Sequence, residues 1–144
     1  MPRNGKPRNG EQGFTLIEVL VVIMICGILA AIAIPAFLSQ RMKAQDADAK
    51  SSAVIATRVL EEYHQDHDGF AGVNAAALVD IEPSLASARN LVVAETAAGY
   101  RLTVDSASGG DGGGPFIVER SAPGQTDRTC GAPGHGGCPR NGRW

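Results

Sequence analysis

The chain has 144 residues, of which 44% are hydrophobic, 19% charged and 5% aromatic, and its formal net charge is −2. That length suits one domain, the composition argues against a disordered chain or a coiled coil, and the net charge supplies no phosphate-seeking field for nucleic acid. With so few aromatic rings, any core is small and built mostly from Ala, Val, Leu and Ile.

Residues 1–13 (MPRNGKPRNGEQG) are polar and rich in Gly, Pro and Asn, and read as a leader or a tail. Arg3, Lys6 and Arg8 stand there against Glu11 alone, a local net of +2, while the remainder carries 10 basic and 14 acidic side chains. A basic flank ahead of an apolar run places the N-terminus in the cytoplasm and the C-terminus outside it.

In the helical stretch 14–34 only Glu18 interrupts the apolar character, and no charge occurs from Val19 to Gln40. At about 1.5 Å per residue, a helix over residues 14–34 reaches roughly 30 Å, the thickness of a bilayer core. Pro35 lies inside this otherwise continuous helical stretch and is expected to kink or loosen it. Gly27, Ala30, Ala31 and Ala33 offer small surfaces for close helix packing, and Cys26 reads as another small packing residue.

Residues 41–68 continue as an amphipathic helix, with Ala49, Ala53, Ala56, Leu60 and Tyr63 forming the buried stripe and Ile55 and Val59 beside it. Arg41, Lys43, Asp46, Asp48, Lys50, Glu61 and Glu62 are assigned to the other faces, and Gly69 to the C-terminal stop. Segment 70–89 reads as loop with a short helical turn. Strands are expected at 90–96 and 100–106 around Ala97-Ala98-Gly99, and at 115–120 (PFIVER). The glycine run 109–114 reads as a flexible loop, as does everything from Ser121 onward. The expected fold is α+β: a long N-terminal helix on a small antiparallel sheet of three or four strands. Its parts are a leader (1–13), an apolar helix (14–40) and a globular domain (41–144).

Glu18 is the residue that chemistry singles out. A carboxylate in a membrane helix costs about 2.5–3.5 kcal/mol at mid-bilayer and less near the interface, so it reads as functional. Phe14 and Glu18 share a helix face. If the chain began at Phe14, its amine would sit one turn from this carboxylate, at the positive end of the helix dipole. The plainer reading is an acid at headgroup level that caps the helix start.

Taken together, Gly13 directly before Phe14, Glu18 four residues after it and Pro35 twenty-one after it, on an apolar run behind a basic leader, resemble the N-terminus of type IV pilins and type II secretion pseudopilins. The resemblance implies cleavage between Gly13 and Phe14 by a membrane prepilin peptidase, with N-methylation of the new Phe14 amine. It implies that Glu18 attracts the Phe14 amine of a neighbouring copy during assembly, and that Pro35 lets the helix bend or melt in a filament. It also implies an inner-membrane platform protein and an assembly ATPase as partners. The product is a filament outside the cytoplasm, built from a subunit first stored in the cytoplasmic membrane. The leading expectation is a type IV pilus subunit, and a secretion pseudopilin is the alternative.

Cys130 and Cys138 bracket GAPGHGG and, on this topology, lie where disulfides persist. The resemblance agrees with a disulfide, since family members often close a C-terminal loop in this way. The rival is zinc held by Cys130, His135 and Cys138. His64 with His67, and Asp105 with Asp111, are weaker metal candidates, and the expectation is no metal and no cofactor. No Ser-His-Asp or Cys-His arrangement stands out, so no enzymatic role is expected. Two other classes compete. Ala31-Ile32-Ala33 resembles an ordinary signal-peptide cleavage site, which would release a soluble protein; retention of the leader would instead leave a membrane-anchored enzyme or binding module.

Overall fold

A computed structural model describes residues 13–144, so the leader reading lies, but for Gly13, outside the described residues. The first helix, α1, runs Leu16–His67 and includes Pro35. The chain divides into two compact units, the first ending at Ala36 and the second comprising Phe37–Trp144.

In the first unit the apolar side chains face outward: Phe14 is 82% exposed and Ile32 72%. The helix is long and apolar enough to cross a bilayer. Cys26 is an exposed free thiol on this segment.

The second unit holds a single core. From α1 it takes Ala49, Ala53, Ala56, Leu60 and Tyr63, the expected stripe, with Val59 buried and Ile55 partly buried beside it. Asp46 extends the same stripe by one turn and is completely buried, which corrects its assignment to a solvent face. The helix ends at His67, and the residue in the left-handed conformation is Asp68 (φ 52°), one before the expected Gly69.

Segment 70–89 is more ordered than the loop expected. Helix α2 (Ala75–Ile81) starts at Asn74, whose side chain accepts the Ala77 N–H, and a 3-10 helix follows at Pro83–Ser87. Leu78 and Leu85 drop from these turns into the core.

Four antiparallel strands follow in simple meander order: β1 Val92–Thr96, β2 Gly99–Val104, β3 Phe116–Ala122 and β4 Gln125–Cys130. Tyr100, Leu102 and Val104 alternate inward as expected, paired with Arg120, Val118 and Phe116 of β3 on the same face. Strand β4 (QTDRTC) lies in the stretch expected to be loop from Ser121 onward, and only its last residue is buried. Its ladder is set by β3 rather than by an apolar pattern of its own. Arg120 takes an inward position: its guanidinium lies 3.1 Å from Glu61 and 5.0 Å from the Phe70 ring. That placement gives the buried cation an ion-pair partner and an aromatic face.

Candidate functional site

Two regions carry the residues of interest, one in each unit. The first begins at Gly13, Phe14 and Thr15, which precede the first turn of α1. The Thr15 hydroxyl accepts the backbone N–H of Glu18 at 3.3 Å, the N-terminal half of a capping box. The Glu18 side chain falls in the first turn, where the helix dipole favours a negative charge. Among the described residues, nothing forms an ion pair with it. Capping of the helix start thus falls to Thr15, and the carboxylate is free for another partner.

The second region is built around Asp46, and sequence reasoning missed it. The Asp46 carboxylate accepts three hydrogen bonds: from Gly137 N–H at 2.6 Å, Gly113 N–H at 2.8 Å and the Ser108 hydroxyl at 2.8 Å. Burial by itself pushes the Asp46 carboxyl pKa up. The donors from Gly137, Ser106, Gly113 and Ser108 outweigh this and hold it below the ordinary value of 3.8. One turn later, Lys50 Nζ donates to the Gly137 carbonyl at 2.6 Å. The Gly137 residue is therefore gripped at both its polar backbone groups by two side chains of α1.

This grip explains the glycines around it. A Cβ at Gly137 would lie 2.9 Å from that of Asp46, and Gly136 adopts φ +51° directly against the same carboxylate. The run 109–114, expected to be a free loop, opens with a short 3-10 turn and then buries Gly112 and Gly113. The Gly113 carbonyl accepts from Ala132 N–H and the Pro115 carbonyl from Gly131 N–H, so two Gly-rich segments close on each other and on the helix.

Cys130 and Cys138 form a disulfide within this clamp. Both thiols are thereby spent, which removes the zinc alternative, and His135 is exposed. The chain then returns beside β4: Cys130 N–H donates to the Gly142 carbonyl, and Trp144 N–H to Arg128. The Trp144 indole N–H donates to Thr129, and its ring meets Phe116 edge-on at 5.7 Å. Lys50 and Arg128 lie over the same indole.

Of the remaining metal candidates, His64, His67 and Asp105 have contacts of another kind. His64 stacks on Phe70, and His67 stacks on Tyr63 and hydrogen-bonds its carbonyl. Asp105 accepts from Asn90. Among the described residues, no group of three or more His, Cys, Asp or Glu side chains is placed to hold a metal.

Residues 8–34 match the family model described as the prokaryotic N-terminal methylation motif. The chain is 40% identical over 67 residues to a fimbrial protein of Neisseria meningitidis, covering 46% of this chain and 39% of that one. It is 40% identical over 70 residues to the type IV wide pilus major component of Thermus thermophilus, covering 49% and 53%. It is 38% identical over 60 residues to the type II secretion system core protein G of Aeromonas hydrophila, covering 42% of each. Residues 8–34 thus carry the N-terminal methylation motif, and up to about half of the chain is similar to type IV pilin and type II secretion proteins. These matches span about two fifths to one half of the relatives' lengths. No solved structure matches the chain. The matched motif contains Gly13, Phe14 and Glu18 together, whereas the Asp46 clamp lies outside it.

Proposed function

We propose that this chain is a prepilin: a membrane-stored structural subunit, not an enzyme, that assembles into a type IV pilus filament. In this reading a prepilin peptidase cuts between Gly13 and Phe14, the Phe14 amine is methylated, and the helix from Phe14 remains as membrane anchor. The N-terminus faces the cytoplasm, and the domain from residue 41 stands outside it. The observation that carries the reading is the methylation motif over residues 8–34, with Glu18 set one turn from Phe14 in an exposed apolar helix.

The mechanism follows from solvation. Lipid is as apolar as the helix, so burial alone gives no reason to leave the membrane for a filament. A carboxylate and an amine from two copies, staggered by about one turn, neutralise each other where neither is well hydrated. Pairing between copies thus supplies direction and register, and tight packing of the apolar helices supplies cohesion. Pro35 lacks a backbone donor and gives the helix a place to bend in the packed core. A platform protein and an assembly ATPase supply the work of extraction.

A second reading is favoured by the match to the type II secretion protein: the same subunit building a secretion pseudopilus. Filaments sheared from the cell surface and composed mainly of this chain support the pilus, whereas filaments confined beneath an outer envelope support the pseudopilus. The test of the common mechanism is mass spectrometry of the mature protein together with the Glu18→Ala variant. The expected result is a chain starting at methylated Phe14, and a variant that is cleaved normally but fails to assemble. A native chain that retains residues 1–13, or normal filaments from Glu18→Ala, overturns the reading.

A further inference from the structure

The Phe37–Trp144 unit is electrostatically polar along its helix. Between Val59 and Ala88 the sequence contains no Lys or Arg, and Glu62, Asp66 and Asp68 are all exposed there. Glu95, also exposed, joins them: it borders a hollow shared with His64 and Phe70 of this end. Arg120 is buried and faces Glu61, and the exposed Arg58 lies one turn before Glu62, so Asp66, Asp68 and Glu95 are the acids of this end left without a cation partner among the described residues. At the other end, Arg41, Lys43 and Arg140 are exposed and lack an acidic partner among the described residues. The clamp is what brings Arg140 there, because Asp46 and Lys50 fasten Gly137 to the start of the helix segment. Lys43 and Lys50 are seven residues apart and share a helix face, so Lys43 stands on the clamp side. From Lys43 to Asp66 the helix rises roughly 35 Å, several Debye lengths, so the two ends do not neutralise each other within one copy.

We propose that these ends are complementary docking surfaces, and that the occupant of the acidic end is the basic, clamp-bearing end of a second copy of this chain. The contact is heterologous: one patch meets a different patch, which leaves both outer ends open for further copies. It rests on the filament reading given above and adds a second electrostatic register, outside the apolar helices, that selects a neighbour displaced along the helix axis. Like charges brought together in the wrong register are penalised, and opposite charges in the correct one are attracted.

The experiment is a charge swap in the full-length chain, read as the yield of sheared filaments from the producing cells. All four positions are exposed, so folding is not at stake, and cleavage at Phe14 is followed as a control. Lys43→Glu with Arg140→Glu, and separately Glu62→Lys with Asp66→Lys, are each expected to lower the yield about tenfold or more. The quadruple variant carrying both swaps is expected to recover to within about threefold of the unmodified chain, and filaments of the unmodified chain are expected to loosen as salt rises. Wild-type yields from either double variant overturn the proposal, as does a quadruple variant no better than the doubles. If the unmodified chain forms no filaments, the filament reading falls and takes this inference with it. Filaments that ignore the swaps but need Glu18 sink only the inference.

Discussion

Asp46 shows how one side chain changes character with its surroundings. By type and neighbours it resembles Asp48, two positions on, yet Asp48 is exposed and Asp46 is buried under three donors. Removing the carboxylate leaves the Gly113 and Gly137 N–H groups without their acceptor, at about 1–3 kcal/mol each. Asp46→Ala is therefore expected to lose about 2–5 kcal/mol in denaturant unfolding, while an exposed-face control, Asp48→Ala, stays within about 0.5 kcal/mol. The pH dependence has a definite sign. A carboxyl pKa held lower in the folded chain than in the unfolded one contributes stability above the ordinary value of 3.8, and that contribution is lost as pH falls through the lowered folded value. Stability of the unmodified protein should thus fall below about pH 4, and Asp46→Asn, starting lower, should show a shallower fall in the same window. Glu18 is the contrasting case: its unusual position was readable at once, because a charge in an apolar run stands out without any knowledge of the fold.

At the scale of elements, the disulfide and the tail beside β4 close a segment with few apolar anchors. The Cys130–Cys138 bridge spans eight positions, and in the chain-entropy model its loss costs about 2–3 kcal/mol. Cys130→Ser with Cys138→Ser should lower the thermal midpoint and expose the amides of residues 131–138 to faster hydrogen exchange, with the strands β1 and β2 less affected. Deleting Arg143 and Trp144 removes the Thr129 backbone bridge, the indole hydrogen bond and the Phe116 edge contact together. It should speed exchange at Thr129 and Cys130, measurable by the same method. In the helix, Leu60 is completely buried against the sheet, and Leu60→Ala is expected to cost about 2–5 kcal/mol. The strands whose inward faces alternate, such as β2, were legible from period-two patterning. Strand β4 was not, because an edge strand with one wet face need not alternate when its register is inherited from a neighbour.

For the whole molecule, two different solvents are written into one chain. Apolar side chains of the first unit are exposed, whereas those of the second are gathered into a core. On the proposed function, the exposed helix is covered by lipid before assembly and by sister helices after it. On the proposed cleavage between Gly13 and Phe14, Gly13→Leu is expected to block processing, because a bulky side chain is placed before the bond to be cut. Full-length precursor should then accumulate in the membrane fraction on a blot, with the globular domain still folded and its disulfide intact.

The sequence by itself determined the N-terminal motif and the α+β order. Gly13, Phe14, Glu18 and Pro35 lie within one short stretch, and local patterns of charge, bulk and period survive without tertiary context. Only the tertiary structure decided where Asp46, Lys50, Gly113 and Gly137 meet. These residues come from segments up to 91 positions apart, and none carries an unusual local signal. Whether a carboxylate faces water or three backbone and hydroxyl donors is settled by what folds back over it, and the chain reaches Gly137 only after four strands have fixed its path.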